Sequence, residues 1–554
     1  MPGNTIHVEK FKNTLPHAVE QGCGDVTPEE AEFILEAISS HGFDLGVDHS
    51  VMQGKHVYKN YKSAHEHRDK VHEALAARVQ TGKTCKLGAW SGDKSELPDN
   101  VCVVPQGAVP KKLEPDKVRP FSDHTATRFN SSVDMSRLGH TLDTYNEIAS
   151  ELKPGYSMRV EDVDGAFPIL PLAPSVWRYM LVWWYDVDRP LCDQSEYNTL
   201  YVHIYADFGT APLPGIWNIF FRCVKAMAIY DGVLTLPMPH YVDDNSIIGE
   251  SDAVVDAQGE LLSDYLEFEL GIKFKRLKSR KGRRRQLVLG FWWDSDARTR
   301  TLEDHKLEAY LENLTEASSL RNVSLSYLRV LAGRLQRALM TMPPSAACLL
   351  TSIFSLMKGL KLPWHRRRLT AEARKDIQAV AKILESNHGR GYFCYDHMPY
   401  APDIYSDASK DRRFAGGGFV TTDGLYDHWE YGSSKKRQAI AYLEADAVLQ
   451  AVTAMGERLR GKKQRLFIDN TSVAFAIKKG RSSSALNGVM RQLYLLAATY
   501  DCVFEPHWIS THDNVWADHL SRARVGDFNI EWKRAGSGLS LTRCTDRCTP
   551  SSYL

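Results

Sequence analysis

Pro237-Met-Pro-His-Tyr241-Val242-Asp243-Asp244-Asn-Ser-Ile-Ile-Gly249 reads as an apolar strand, a turn carrying two adjacent carboxylates, and an apolar strand returning. Two carboxylates side by side at a hairpin tip repel each other and resist burial. A divalent cation set between them and a phosphate keeps both ionised. Two-metal phosphoryl transfer is the chemistry that such a tip suggests. An exposed acidic turn is the bland alternative. What decides between them is whether the chain supplies a further carboxylate, a nucleotide pocket and a basic surface.

A further carboxylate lies upstream. Ser157-Met-Arg-Val-Glu-Asp-Val163 alternates, which places Met158, Val160 and Asp162 on one face of a strand. Asp162 then stands at the strand's end, within reach of Asp243 across a sheet, and Asp164 competes with it as the ligand. Downstream, Lys273 to Arg285 holds nine basic residues in thirteen and no acid. That run is a phosphate-contacting stripe, a nuclear localisation signal or a solvated loop.

A second set of acids follows the first. Ile404-Tyr-Ser-Asp407 reads as a strand ending in Asp, and Ala415-Gly-Gly-Gly-Phe-Val420 as a strand opening with glycines. Glu444 shares a helix face with Val448 and Val452 by i, i+4 spacing, whereas its competitor Asp446 falls off that face. Arg465-Leu-Phe-Ile-Asp469 is a third strand ending in Asp, and Asn514-Val-Trp-Ala-Asp518 opens a helix.

Composition sets the frame. A chain of 554 residues is too long for one core and predicts two to four domains. Its 43% hydrophobic and 25% charged content are those of a soluble globular protein, and 69 basic against 68 acidic residues leave a net charge of +1. Charge therefore points to nucleic acid only locally. No apolar run reaches membrane-spanning length and the N-terminus carries no signal-peptide core, so a cytoplasmic or nuclear protein is expected. Ten scattered cysteines suit reduced thiols, and Cys544 with Cys548 lacks the partners of a zinc site.

The two acidic sets carry a resemblance. Asp162-Val-Asp-Gly-Ala-Phe167, Phe208-Gly209-Thr-Ala-Pro-Leu-Pro-Gly-Ile-Trp217-Asn and Tyr241-Val-Asp-Asp244 resemble three palm motifs of reverse transcriptases, with Asp207 and Trp217 replacing the family's Pro and Phe. Asp407, Glu444, Asp469 and Asp518, in that order, resemble a ribonuclease H site; His512 lies closer to the last Asp than the family's loop histidine does. The whole is similar to retroelement enzymes of the gypsy-like and DIRS-like (tyrosine-recombinase) groups, on the strength of Asn60-Tyr-Lys-Ser-Ala64, Ser326-Tyr-Leu-Arg-Val-Leu-Ala-Gly-Arg-Leu335 and Ala517-Asp-His-Leu-Ser-Arg522.

The resemblance implies an α+β right-hand polymerase of fingers, palm and thumb, then an α/β ribonuclease H-like domain. The expected bounds are a helical N-terminal region at 1–95, fingers and palm at 96–302, a helical thumb, connection and linker at 303–400, the nuclease at 401–525 and a polar tail at 526–554. It implies RNA- and DNA-templated DNA synthesis, with removal of RNA from the hybrid. Two Mg²⁺ per site, with Mn²⁺ as substitute, are expected on Asp162, the Val163 carbonyl, Asp243 and Asp244, and on Asp407, Glu444, Asp469 and Asp518.

Lys111, Lys112 and Arg119 are expected to hold the incoming triphosphate, with Gly209 in the nucleotide site. Lys278 is expected to protonate the leaving pyrophosphate, and Leu289-Gly290-Phe291 to form the primer grip. The resemblance implies that Phe167 packs under the nucleotide sugar and excludes a ribose 2′-hydroxyl, because a bulky ring has no room for it and no partner to offer. Lys275, Arg276, Arg280, Lys281, Arg283, Arg284 and Arg285 are expected on the template–primer backbone. RNA template, DNA primer, RNA/DNA hybrid, dNTPs and other retroelement proteins are the implied partners, with no membrane. The alternative is a domesticated nucleic-acid-binding scaffold without polymerisation, against which the intact carboxylates argue.

Overall fold

The computed structural model describes residues 3–111, 114–135, 144–276, 278–342, 344–480, 484–536 and 539–544. Lys112, the Lys111 side chain, Pro343 and Cys548 lie outside the described residues. The chain divides into two compact units, Met1–Val288 and Leu289–Leu554. Among the described residues no helix is long and apolar enough to cross a membrane.

The first unit is built behind the Asp243–Asp244 hairpin. A four-stranded antiparallel sheet runs in the order Arg280–Arg283, Ser157–Asp162, Asp244–Gly249, His240–Tyr241. The helix Leu213–Tyr230 is almost wholly apolar, opens with Pro at its first turn and ends where Gly232 takes a φ of 70°. It buries Trp217, Phe220, Phe221, Val224 and Met227 in the core that lies under this sheet. The N-terminal helices Val8–Glu20 and Pro28–Glu36 share that core, Phe11 stacking on Phe220 at 5.6 Å. Thr27 caps the second of these: its hydroxyl accepts from the Glu30 N–H at 3.2 Å, and Glu30 accepts in return from the Thr27 N–H.

The expected separate region at 1–95 is therefore corrected. Lys55–Val57 and Thr84–Ala89 are strands of a five-stranded sheet completed by Val101–Val103, Leu181–Trp184 and Thr199–His203. A long hairpin, Gln106–Lys111 with Glu114–Ser122, projects from the same unit.

The second unit begins with a small antiparallel sheet and the helices Asp304–Ser319, Leu325–Leu339, Thr351–Met357 and Ala371–Asn387. The stretch expected as a linker is packed structure. Thr370 caps the last of these helices, and Ala373, Ile377, Val380 and Leu384 form its buried stripe. Asp376 in that stripe is fully buried and pairs with Arg491 of the helix Ser484–Thr499 at 2.6 Å, while Asn487 and Ser352 hydrogen-bond its other oxygen.

A six-stranded sheet follows, ordered Val503–Trp508, Lys463–Ile468, Ile404–Lys410, Ala415–Thr421, Leu425–Glu430, Thr542–Arg543, with its first three strands mutually parallel. The expected polar tail from 526 is also corrected. Val525–Arg534 is a helix whose Phe528 and Trp532, one turn apart, bury against Val420 and Leu520, and Thr542–Arg543 closes the sheet edge.

Candidate active sites

The hairpin tip of the first unit is a strained turn held from below. Tyr241 pairs with Asp244, so Val242 and Asp243 are the two turn residues, and Val242 takes a φ of 56°. A β-branched residue in that region is a genuine outlier, so the turn needs outside support. The buried Trp217 indole N–H provides it, donating to the Val242 carbonyl at 2.5 Å. Asn245 Nδ2 and the Val163 N–H both donate to the Asp243 carbonyl, at 3.0 and 3.1 Å.

Three carboxylates stand at this end of the sheet, although among the described residues only the acids of the second unit come within 4.8 Å of one another as a set of three. The strand register sets Asp244 opposite Asp162, and the Val163–Asp243 bond brings Asp243 to the same end. Burial pushes the Asp243 carboxyl up, with the Asp162 charge second. Burial, then Asp243 and Asp162, push the Asp244 carboxyl to about 6. Lys278 Nζ donates to Asp162 Oδ2 at 2.8 Å, whereas Asp162 Oδ1 is buried with no hydrogen-bond partner. The bridge between Val163 and Phe274 uses the Asp162 and Lys273 carbonyls and leaves the Val163 carbonyl out of the ladder. Asp164, the competing ligand, is exposed and pairs with Lys275 at 3.2 Å.

Beside the carboxylates, the Phe167 ring packs edge-on against Phe208 at 5.5 Å, and the Arg119 guanidinium lies 6.0 Å over the same Phe208 ring. Gly209 has a φ of 110°, and a Cβ there would stand 2.0 Å from the Ser122 carbonyl, so only glycine lets this loop approach the Arg119 strand. Asp207 is half-buried against Arg78, His203 and Ser122. Burial opposes its charge, but Arg78 and then His203 more than offset this and hold the carboxyl below its usual range.

The basic run is partly engaged within its own unit. Arg280–Arg283 is the edge strand of the sheet, and Arg280, Lys281, Arg283, Arg284 and Arg285 are exposed. Lys275 faces Asp164 and Arg276 faces Glu267, at 3.2 and 3.7 Å. One pair escaped the sequence reading. Arg159 and Glu161, on the other face of the Asp162 strand, are both buried and 2.5 Å apart, with Arg159 also reaching Asp256 and Glu260. The signal was two charges at i, i+2 in a strand whose other face is apolar.

In the second unit Asp407, Glu444 and Asp469 can each bring a carboxylate oxygen within 4.8 Å of the others. Asp407 stands mid-strand in Ile404–Lys410 rather than at a strand end. Asp469 follows the strand Lys463–Ile468, and Glu444 is buried on the helix Ile440–Met455. Asn470, one residue on from Asp469, caps the next helix through the Ser472 and Val473 N–H groups.

The glycine run explains how the last acidic helix comes close. A Cβ on Gly416 would lie 2.2 Å from the Ser521 carbonyl, and one on Gly418 would lie 2.6 Å from Leu520 Cβ. With glycines there, the helix Val515–Ser521 lies on the sheet and the fully buried Ser521 hydroxyl donates to Asp407 Oδ2 at 2.6 Å.

Burial and like charge dominate this site. The Glu444 carboxyl is pushed to about 8 by burial, then by Asp469. Asp407 is pushed to about 6 by burial, with the Ser521 hydroxyl opposing and Asp469 and Asp518 adding. Glu444 Oε2 and Asp469 Oδ1 are buried without hydrogen-bond partners.

Asp518 is not one of the three converging acids. Its Oδ1 accepts from Arg522 Nε at 2.8 Å, although its charge still reaches Asp407. Asp446 is buried, not off the packed surface, and is neutralised by Lys435 at 2.8 Å. In the short loop it is Thr511, one residue before the exposed His512, that donates to Asp469 Oδ2, at 3.1 Å.

No protein-family model matches the chain. No curated protein matches it. Three solved structures similar to it are of foamy viral protease–reverse transcriptase. The dRH form with double-stranded DNA is 13% identical at a TM-score of 0.45, covering 90% of this chain and 81% of that one. The complex with RNA/DNA hybrid is 12% identical at 0.45, covering 90% and 62%. The complex with double-stranded DNA is 14% identical at 0.44, covering 91% and 97%.

Proposed function

We propose that this chain is a template-directed DNA polymerase, copying RNA and DNA, whose second unit cleaves the RNA strand of an RNA/DNA hybrid. The observation that carries the reading is a pair of separate carboxylate clusters, one per unit. Each combines buried acids of raised pKa with carboxylate oxygens that lack partners. Oxygen-only donor sets of this kind fit a hard divalent cation, Mg²⁺ or Mn²⁺. Asp162, Asp243, Asp244 and the Val163 carbonyl would hold it in the first unit, and Asp407, Glu444, Asp469 and Asp518 in the second. Once bound, such ions neutralise charge on the attacking and departing oxygens of a phosphodiester.

The remaining roles belong to the chain's own side chains. Lys278, already donating to Asp162, holds a proton beside the acids for the departing pyrophosphate. Phe167, braced by Phe208, blocks a ribose 2′-hydroxyl and so selects deoxynucleotides. Arg119, with Lys111 and Lys112, meets the triphosphate, and Gly209 brings the loop carrying Phe208 against the Arg119 strand. Lys275, Arg276, Arg280, Lys281, Arg283, Arg284 and Arg285 face the nucleic-acid backbone. Replication of a mobile element of the gypsy-like or DIRS-like kind, alongside other retroelement proteins, is the setting proposed.

Primer extension with dNTPs and Mg²⁺ on an RNA template tests the reading, alongside cleavage of a labelled hybrid. Asp243→Asn should abolish extension and spare cleavage, and Glu444→Gln should do the reverse. A wild-type chain that extends no primer, or an Asp243→Asn chain that extends normally, sinks the polymerase half.

A further inference from the structure

The second unit carries a basic surface that neither proposed activity uses. From Ala317 to Ala371 the sequence holds nine Lys and Arg residues and no Asp or Glu. Part of this segment, His365-Arg-Arg-Arg368, falls in the stretch read from sequence as a linker. It is ordered instead. Arg366–Arg368 pairs antiparallel with Asn322–Ser324, setting Arg366 opposite Ser324 and Arg368 opposite Asn322. Those four side chains therefore share one face of a two-stranded ribbon. Arg366 and Arg368 are exposed, and among the described residues no ion pair engages either one.

The ribbon is braced from behind. Val323, Leu325 and Leu369 are buried, the last two at its ends. Arg374 pins the approach to it by donating to the Ser318 and Leu320 carbonyls at 2.6 and 2.9 Å. Ser324 caps the following helix through the Tyr327 N–H. At the turn before the arginines, Trp364 is 69% exposed, the most exposed large apolar side chain of the described residues. Exposed Leu362, Lys358 and Lys361 lie just before it in the chain.

An indole in water costs apolar hydration, and its retention beside unpaired guanidinium groups needs a ligand with both a flat apolar face and negative charge. A nucleobase on a phosphate backbone has both. A duplex keeps its base faces stacked internally, so the exposed ring suits a strand whose bases are free.

We propose that this ribbon is a binding site for single-stranded nucleic acid, with Trp364 stacking on a base and Arg366 and Arg368 holding flanking phosphates. The site lies wholly in the second unit and needs neither carboxylate cluster, so it stands or falls apart from the catalytic reading. It differs from the Lys273–Arg285 run, where acids of the same unit face several of the cations.

The test uses the full chain carrying Asp243→Asn and Asp407→Asn, so that no probe is consumed. Labelled oligo(dT) and oligo(U) of about 20 nucleotides, and a blunt duplex of the same length, report binding by fluorescence anisotropy. Trp364→Ala should weaken single-strand binding about 5- to 150-fold and duplex binding by no more than about twofold. Trp364→Phe should recover most of the loss. Arg366→Gln with Arg368→Gln should lower the slope of log affinity against log salt by about 1.4 for the single strands. An oligonucleotide carrying 5-iododeoxyuridine should cross-link to Trp364. Equal loss for duplex and single strand, or unchanged affinity together with no cross-link between Lys358 and Arg368, overturns the proposal.

Discussion

The two acidic centres meet the same electrostatic problem differently. In the first unit, Lys278 sits on Asp162 and shares its field with Asp243 and Asp244. In the second unit no cation touches Asp407, Glu444 or Asp469 among the described residues; Arg522 is held by Asp518 instead. Burial is similar in both, so the difference lies in the cations of the first site, Lys278 with Arg280 and Lys275. A site with a built-in counter-charge keeps its acids closer to ionisation without metal. In both sites burial comes first and like charge adds to it, raising Glu444 to about 8 and Asp407 and Asp244 each to about 6.

Removing the counter-charge is the sharpest way to break this contrast. Lys278→Met should lower the extension rate about 100-fold, as loss of a positioned general acid does, and leave hybrid cleavage alone. Lys278→Arg restores charge without an acid of suitable pKa, so it should recover primer binding but not rate. Normal extension by Lys278→Met would reduce the lysine to a spectator and remove the difference between the sites.

Glu444 tests the other side. Its folded carboxyl is raised from 4.5 to about 8, so the folded state binds more protons than the unfolded state between those values. The stabilisation is fully present below pH 4.5 and is lost as pH rises through about 8, a change on the order of 5 kcal/mol. Thermal melts in EDTA should therefore show the second unit weakening as pH rises, and Glu444→Gln should flatten that dependence. Mg²⁺ should reverse the wild-type trend, because it binds the ionised acids. A flat wild-type profile would mean that the cluster is better solvated than its burial implies.

What could be read from sequence followed from local chemistry. Asp162, Asp243 and Asp244 sit where alternation and a turn place them, and Glu444 lies on the buried face of its helix as the i, i+4 spacing requires. What escaped depended on partners far along the chain. Thr84–Ala89 is mostly exposed, Leu87 included, and becomes a strand only by pairing with Thr199–His203. The helix Val525–Arg534 carries few apolar residues and leaves Ile530 exposed, yet Phe528 and Trp532 anchor it against the six-stranded sheet. Asp446 looked excluded by its helical face; Lys435, eleven residues earlier, is what permits its burial. Asp407 was placed at a strand end because nothing in its own segment shows that Ala415–Thr421 continues the pairing to Lys410.

The smallest effect concerns how each centre is held in place. Ser521 braces Asp407 through a side-chain bond to the carboxylate itself, whereas Trp217 braces the first site through the backbone of Val242. A phenylalanine at 217 would fill most of the space but donate nothing. The Val242 carbonyl would then lose its partner, while its residue still has to hold a φ of 56°. The expected cost is about 1 kcal/mol of stability, with about a fivefold loss of extension rate, because a backbone bond of this kind contributes roughly that much. The loss should fall on kcat more than on KM, since the turn positions Asp243 and does not contact substrate. Hybrid cleavage should not change. Val242→Gly adopts the turn without strain, so in that background Trp217→Phe should cost measurably less, and the coupling between the two changes measures what the indole does. Full additivity would show that the turn holds its own shape, leaving the tryptophan as packing alone.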